Sequence, residues 1–482
     1  MREVPTEEVI ERIRLENPWW NTETIDSDVK KMRPRAYLAL FLKLVEMDEP
    51  RRALILMGPR RVGKTWLIYH AIQSLIDGGR DPKKICYVNI QNPLYNGLSL
   101  EKLLFLACEA GEMKPQDNLF VCFDEIQYLR DWEIHLKTLV DSYRNVKFVG
   151  SGSAAAALKL KSNESGAGRF TDFLLPPLTF YEYLDLLNQT DLVKINIYDG
   201  KEKRADSFSV QEIDSLNEKF IHYLNYGGYP EVIFSEQIQS DPGRFIRGDI
   251  IDKVLMKDLP SLYGIQDIQE LNSLFQSLTY NTAGEVSLEN LSQKSGVAKN
   301  TIKRYIEYLE SAFLIKVVHR VDRSAKRFQR ATRFKVYVTN PSLYCALFKP
   351  VGPDDNAIGS LVETAVFAQW FHFTSEQLYY ARWKEGEVDI VHLDSNLKPD
   401  FAIEVKWSDA QASDPRDLVS LRRFCSEHRN CSSRVTTRTL RNIIKLPELT
   451  IELMPASLYC FILGYNFIQS KYILRAFETR PR

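Results

Sequence analysis

The sequence has no excess of charge of either sign and no long apolar run. Its 482 residues include 63 Lys and Arg against 63 Asp and Glu, so any nucleic-acid-binding surface must be local. No apolar stretch reaches the roughly 18 residues that predict a transmembrane helix, and the first residues lack the apolar core of a signal peptide. These absences favour a cytoplasmic protein.

Cysteines are also few, and their spacing is irregular. The seven lie at positions 86, 108, 122, 345, 425, 431 and 460, without a C-x-x-C pair. This pattern argues against a zinc finger or a disulfide framework, and it predicts reduced, mostly buried thiols. The chain is too long for one core, so its length predicts about three or four domains.

The strongest motif is a phosphate-binding loop. Residues 58–65 read GPRRVGKT and match G-x-x-x-x-G-K-[ST], between an apolar run at 53–57 and a helical pattern at 66–72. The glycines let backbone N–H groups turn toward a phosphate, Lys64 reaches the β- and γ-oxygens, and Thr65 binds Mg²⁺. The alternative is an ordinary glycine loop. The predicted nucleotide-binding residues are Gly58, Pro59, Arg60, Arg61, Val62, Gly63, Lys64, Thr65 and Trp66.

A second apolar strand, at 118–123, ends in Asp124 and Glu125. We interpret the pair as a Walker B motif in which Asp124 holds Mg²⁺ through water and Glu125 polarises the attacking water. Two solvated acids at a strand end are the alternative.

A third strand, at 146–153, ends in hydroxyls. Ser151 is the candidate sensor of the γ-phosphate, with Ser153 next; a tight turn is the alternative for both. Arg169 could sense the same charge, in cis or from a neighbouring subunit, and the latter would require a homo-oligomer. Arg60 and Arg61 are further candidates that linear order cannot rank.

Residues 287–309 read as a helix-turn-helix. A serine-capped helix leads to Gly296, and the second helix packs Ile302 and Ile306 inward. The segment 319–335 then forms a predicted wing with seven Lys or Arg and one acid, which suits phosphate contacts. A protein-docking module or a solvated basic face is the alternative. The predicted DNA donors of the second helix are Lys299, Asn300, Lys303 and Arg304.

The last third carries acids in a distinctive order. Glu363 lies in a helical pattern, Asp389 in a strand, and Glu404 and Lys406 alternate along another strand, which puts them on one face. This order is similar to the PD-(D/E)xK nuclease fold. The similarity implies that Glu363, Asp389 and Glu404 bind Mg²⁺ and that Lys406 orients the attacking water. Strands with solvated alternating charges are the alternative, and a fold does not imply activity.

Nearly the whole chain resembles bacterial and archaeal AAA_14-like P-loop ATPases that carry a C-terminal domain of unknown function with a restriction-endonuclease-like signature. The resemblance implies ATP rather than GTP, and a multidomain α/β fold. The motifs that carry it are at 16–20, 58–61, 123–127, 168–170, 226–231 and 403–406. The implied domains are an N-terminal helical extension (1–35), an AAA-type ATPase core (36–178), a helical lid or connector (179–265), a winged helix-turn-helix (266–348) and a restriction-endonuclease-like α/β domain (349–482).

Two functions stay open. ATP could gate a DNA-binding nuclease, or the chain could be a nucleotide-dependent switch that binds a protein or nucleic-acid partner without cleaving it. An origin-recognition-type initiator is a third hypothesis, and it leaves Glu404 and Lys406 unexplained. The pattern also predicts an exposed loop at 199–211, a break between helices at 226–230 and a late strand at 458–463.

Overall fold

The computed structural model describes residues 5–47, 49–153, 168–195, 208–326, 332–373, 376–410, 418–428, 430–447 and 449–469. The chain divides into two compact units between Pro176 and Pro177. None of the helices in these ranges combines the length and the apolar character needed to cross a membrane. Parts of three sequence predictions, at 199–207, 327–331 and 470–482, lie outside the described residues.

The first unit is built on a parallel sheet of order β2-β3-β4-β1-β5. Its inner strands are apolar runs because helices cover both faces of such a sheet. The strands are β1 (Ala53–Met57), β2 (Ile85–Asn89), β3 (Phe120–Asp124), β4 (Lys147–Gly152) and β5 (Phe170–Leu174). The helices are α1 (Thr6–Glu16), α2 (Trp19–Thr22), α3 (Ser27–Lys31), α4 (Leu38–Val45), α5 (Lys64–Asp77), α6 (Leu100–Ala110) and α7 (Trp132–Ser142), with short turns at Pro82–Lys84, Pro93–Tyr95 and Ile126–Tyr128.

The N-terminal segment covers the open edge of this sheet at β2. The Asn17 side chain accepts the Tyr87 N–H at 2.7 Å and donates to the Tyr87 carbonyl at 2.8 Å, as a neighbouring strand would. The indoles of Trp19 and Trp20 both donate to the Ile85 carbonyl. The segment therefore satisfies the polar groups that an edge strand leaves unpaired.

The second unit consists of helices, a two-stranded sheet formed by its first two strands, and one large mixed sheet. Its strands are β6 (Val193–Ile195), β7 (Phe208–Val210), β8 (Glu285–Ser287), β9 (Ile315–Val321), β10 (Arg333–Val338), β11 (Leu378–Trp383), β12 (Gly386–Leu393), β13 (Pro399–Glu404), β14 (Ser432–Thr437), β15 (Asn442–Lys445) and β16 (Thr450–Pro455). Its helices are α8 (Phe180–Leu186), α9 (Ile213–Tyr226), α10 (Pro230–Ile233), α11 (Glu236–Ser240), α12 (Leu259–Tyr263), α13 (Ile268–Tyr280), α14 (Leu288–Ser295), α15 (Lys299–Ser311), α16 (Ser342–Leu347), α17 (Ile358–Trp370), α18 (Val419–Glu427) and α19 (Ala456–Gln469). A short 3₁₀ turn lies at Thr190–Leu192, and π-helical segments lie at Gly243–Asp252 and Val254–Asp258.

The sheet order is β15-β16-β14-β13-β12-β11-β9-β10-β8. Strand β9, from the predicted wing, pairs in parallel with β11, from the predicted nuclease-like region. The register matches Tyr379 with His319 and Ala381 with Val321. One continuous sheet therefore joins two regions that the sequence analysis separates.

Three local predictions differ from the structure. Leu458 and its neighbours lie in α19 rather than in a strand, because a short buried apolar run has the same composition in either state. Part of the predicted loop at 199–211 is β7, which pairs with β6. Strand β13 ends at Glu404, so Lys406 lies just beyond it, where Thr436 bonds both the N–H and the carbonyl of Lys406.

Candidate functional site

The phosphate loop connects β1 to α5 at the carboxyl edge of the parallel sheet. Lys64 is buried, and its ammonium donates to the carbonyls of Gly58 (3.1 Å) and Pro59 (2.9 Å), inside the curve of the loop. A Cβ atom at position 58 would collide with the Leu175 carbonyl, and Gly63 has φ +91°. Both positions therefore require glycine.

The rest of the loop differs residue by residue in exposure. Val62 is buried, Arg60 is half-buried, and Arg61 is exposed with φ +65°. Trp66 is 38% exposed on the first turn of α5. Arg35, which the sequence analysis did not single out, is buried and donates to the carbonyls of Val62 (3.0 Å) and Pro176 (2.8 Å).

Asp124 is the centre of a hydrogen-bond network at the end of β3. Its Oδ2 accepts the hydroxyls of Thr65 at 2.8 Å and of Tyr87 at 2.7 Å. Its Oδ1 accepts the Ser151 hydroxyl and, at 3.0 Å, the Glu125 N–H. The structure thus brings together Thr65, Asp124 and Ser151 from three separate parts of the sequence.

Tyr87 was missed by the sequence analysis. Burial first, and then the charge of Asp124, raise the pKa of Tyr87, so its phenol keeps its proton and acts as a donor. Its position inside an apolar strand gave no local sign of this role. The adjacency of β2 and β3, which brings Tyr87 beside Asp124, is a property of the sheet order.

Glu125 lies beside the same edge with a left-handed backbone, at φ +54°. Its Oε2 accepts bonds from the Gln127 amide and, at 3.4 Å, from the Ser153 hydroxyl. Ser153 therefore contacts Glu125, whereas Ser151 contacts Asp124.

Arg169 does not join this cluster, so the prediction that it senses the γ-phosphate in cis is wrong. It immediately precedes β5, and its carbonyl accepts the N–H of Ala53, the first residue of β1. The phosphate loop follows the other end of β1, about 16 Å away at roughly 3.3 Å per strand residue. The Arg169 guanidinium instead pairs with Asp141 at 2.5 Å.

The second unit gathers carboxylates at one centre, which we call the carboxylate centre: Glu363, Glu387, Asp389 and Glu404 with Lys335 and Lys406. Glu363 comes from α17, Asp389 from β12 and Glu404 from the end of β13. Lys406 Nζ binds Glu404 Oε1 at 2.8 Å. Asp389 Oδ2 accepts the Val405 N–H at 2.9 Å.

Two members of this centre, Lys335 and Glu387, were missed as site residues. Lys335 Nζ lies 2.7 Å from Glu387 Oε1, 3.0 Å from Glu363 Oε1 and 3.5 Å from Asp389 Oδ1. Glu387 precedes Asp389 by two residues on β12, so period-two alternation could have revealed it. Lys335 was read as part of a basic run, and nothing local to that run indicates its partners.

Burial and mutual repulsion perturb this centre. Burial, with the charge of Asp389, raises the pKa of Glu363 to about 7 and of Glu404 to about 8, while Lys335 and Lys406 respectively act in the opposite direction. Burial acts to lower the pKa of Lys335, but the surrounding carboxylates raise it overall, so this lysine is charged. Glu404 Oε2 is buried without a hydrogen-bond partner.

The helix predicted to contact DNA is α15. It buries Ile302, Ile306 and Leu309 and exposes Lys299, Asn300, Lys303 and Arg304. Lys299 pairs with Glu289 at 2.6 Å and Lys303 with Glu307 at 3.9 Å. These are surface ion pairs, which cost little to break.

The predicted wing is mostly bonded to its own unit, because β9 and β10 are interior strands of the sheet. Arg320 donates twice to the Arg382 carbonyl, and Lys335 is buried. The prediction that the whole wing presents its cations to phosphate is therefore wrong for Lys335 and for Arg320. Arg323 and Arg333 are surface residues that pair with Glu427 and Glu285 respectively.

Two family models match the chain. Residues 50–184 match one described as an AAA domain, and residues 217–354 match one described as a domain of unknown function (DUF8612). The uncharacterized proteins MJ1544 and MJ1637 of Methanocaldococcus jannaschii are 24% and 26% identical to it over 357 and 368 residues. Each alignment covers 72% of this chain, and 73% and 74% of the respective relative.

A likeness to solved structures is also present. The Walker-type ATPase PABY2304 of Pyrococcus abyssi aligns with 66% of this chain and 99% of its own, at 15% identity and a TM-score of 0.38. The AAA domain match, the parallel sheet and the phosphate loop define the class: this is a multidomain α/β protein with an AAA-type, P-loop ATPase-like core.

Proposed function

We propose that the first unit binds and hydrolyses Mg²⁺-ATP and that the chain works as a nucleotide-controlled switch that binds DNA. One observation carries the ATPase proposal: the Thr65 hydroxyl and the Asp124 carboxylate meet at 2.8 Å, and the preceding residue, Lys64, is buried with its ammonium inside the curve of the phosphate loop. These are the hard oxygen donors and the cation that a triphosphate with Mg²⁺ requires.

Each residue then has a defined task. Lys64 exchanges the carbonyls of Gly58 and Pro59 for β- and γ-phosphate oxygens, while loop N–H groups hold the β-phosphate. Thr65 and Asp124 would hold Mg²⁺, which neutralises charge on the phosphates when bound. Glu125 orients the attacking water, and Ser151 keeps the Asp124 carboxylate in place from β4.

The DNA-binding part of the proposal rests on α14 and α15. Their turn at Gly296 has φ +74°, and the antiparallel strands β8, β9 and β10 form one end of the large sheet beside them in the sequence. This arrangement supports a winged helix with α15 as the helix that enters a groove. The exposed side chains of α15 are the donors. In the wing, Arg320 and the buried Lys335 do not contribute, because both are bound within their own unit.

A metal-dependent nuclease is the second candidate function. The gathering of Glu363, Asp389 and Glu404, with Lys406 at 2.8 Å from Glu404, favours it. The unpaired Glu404 Oε2 is a further feature that a bound cation would satisfy. Against it, no group of three or more His, Cys, Asp or Glu in the described ranges is arranged to hold a metal ion.

The ATPase proposal is tested by phosphate release from ATP with Mg²⁺. Lys64→Ala should abolish nucleotide binding, and Glu125→Gln should retain binding but lose turnover by about 100-fold or more. Lys83→Ala, an exposed lysine of the same unit, is the matched control. Undiminished turnover in Lys64→Ala would exclude this site as the catalytic one.

Binding and cleavage of duplex DNA distinguish the two roles of the second unit. We expect the double variant Lys303→Ala/Arg304→Ala to weaken binding and to reduce the slope of log affinity against log salt by up to about 2. Lys445→Ala, exposed on β15, should leave both unchanged. Cleavage of DNA with Mg²⁺ that Asp389→Asn abolishes would establish the nuclease instead.

A further inference from the structure

The carboxylate centre contains an internal cation. Lys335 lies on β10, and Glu387 and Asp389 lie on β12, with β9 and β11 between these strands in the sheet order. The lysine side chain is only 4% exposed, and it reaches Glu363 and Glu387 at hydrogen-bond distance. A residue from the predicted wing therefore reaches the centre of the region predicted to be nuclease-like.

We propose that the Lys335 ammonium takes the place of a divalent metal ion in the carboxylate centre, so that the native second unit does not bind Mg²⁺ there. An ammonium has three N–H donors, and here three carboxylates surround it, at 2.7, 3.0 and 3.5 Å. The structure therefore assigns to Lys335 the charge neutralisation that a metal ion supplies in a nuclease.

Other protein groups also donate hydrogen bonds to these carboxylates, with the buried Glu404 Oε2 as an exception. Glu363 Oε1 accepts the Tyr337 hydroxyl at 2.6 Å in addition to Lys335. Asp389 Oδ2 accepts the Val405 N–H, and Glu404 Oε1 accepts Lys406. A divalent ion would have to displace an ammonium whose side chain is only 4% exposed.

Lys335 binds carboxylates from α17 and β12, so it fastens β10 to both elements. The centre then acts as an ion-pair core that links β10 to α17 and to β12 of the same sheet. A unit built in this way recognises a partner without metal-dependent cleavage, whether or not the first unit hydrolyses ATP.

The test measures the binding of Mn²⁺ to the full chain in the absence of nucleotide, with electron paramagnetic resonance as the method of detection. We expect the native chain and the Asp389→Asn variant to bind Mn²⁺ equally, because the native carboxylate centre binds no divalent ion. The Lys335→Gln variant should gain one Mn²⁺ site whose affinity is at least about tenfold higher than that of any Mn²⁺ site in the native chain. Adding Asp389→Asn to this variant should abolish the new site. Lys326→Gln, an exposed lysine close in sequence, is the matched control.

Two results would overturn the proposal. One is a native Mn²⁺ site that Asp389→Asn removes and that Lys335→Gln leaves unchanged or weakens. The other is a Lys335→Gln chain that is folded by circular dichroism and gains no site. If the Lys335→Gln variant does not fold, Mn²⁺ binding by the native chain and by the Asp389→Asn variant still tests the proposal. A native Mn²⁺ site at Asp389 would contradict the role assigned to Lys335. The readout is independent of ATP turnover, so the ATPase proposal can fail separately.

Discussion

The phenol of Tyr87 donates to Asp124 Oδ2 at 2.7 Å, the same oxygen that accepts the Thr65 hydroxyl. Tyr87 belongs to the edge strand β2, and its own N–H and carbonyl are bound by Asn17. The N-terminal segment is thus two hydrogen-bonded steps from the carboxylate that we assign to Mg²⁺. Tyr87 therefore belongs both to the edge of the sheet and to the candidate catalytic centre.

Removing the Tyr87 hydroxyl should weaken the first unit and its turnover together. Tyr87→Phe keeps the ring, which packs 5.1 Å from Tyr69, but leaves a buried carboxylate with one donor fewer. We expect the free energy of unfolding to fall by about 1–3 kcal/mol and ATP turnover to fall with it. Urea denaturation and phosphate release measure the two effects. Tyr128→Phe, at a 41% exposed position, should change neither.

Replacing Asn17 tests whether the N-terminal segment is part of the first unit. Asn17→Ala leaves the buried N–H and carbonyl of Tyr87 without partners, and each such group costs about 1–3 kcal/mol. The unfolding free energy should therefore drop by about 2–6 kcal/mol. Asn21→Ala, exposed four residues later, is the control. Equal stability of the two variants would contradict the role we assign to Asn17.

The carboxylate centre should make stability depend on pH. Burial and the charge of Asp389 raise the pKa of Glu404 to about 8, against about 4.3 for an unperturbed glutamate. The folded state therefore holds this proton more tightly, and its contribution to stability is complete below about pH 4 and lost as pH rises through about 8. We expect unfolding free energy to fall across pH 5–8 by up to about 1.4 kcal/mol per pH unit for this proton.

Glu404→Gln should remove the contribution of Glu404 to the pH dependence of the unfolding free energy, because an amide does not titrate in this range. Urea midpoints measured at several pH values between about 5 and 8 give the comparison. Glu363 should still contribute, since its pKa is raised in the same direction. The exposed Glu307→Gln should keep the native slope. A native slope in Glu404→Gln would show that Glu404 is ionised throughout.

Much of the first unit could be predicted from local sequence. The phosphate loop and the acids at 124–125 are recognisable because their chemistry requires fixed residue types at fixed spacing beside a strand. The carboxyl ends of parallel strands meet at one edge, which is why Lys64, Thr65 and Asp124 are predicted to surround one phosphate-sized space there. The same rule could not place Arg169, because residues 154–167 separate it from β4 and its position depends on where β5 begins.

The order of the strands and the burial of charged side chains depend on contacts between residues far apart in the sequence, so no local pattern predicts them. The sequence pattern predicts a helix at Glu363 and strands at Asp389 and Glu404, but it places Lys406 in the second strand, whereas β13 ends at Glu404. The sequence also does not predict that Lys335, which lies in a basic segment, pairs with these carboxylates. A lysine has the same helix and strand propensities whether its ammonium faces solvent or a carboxylate. That choice depends on the pairing of β9 with β11, a contact between residues about 60 positions apart that no local pattern encodes.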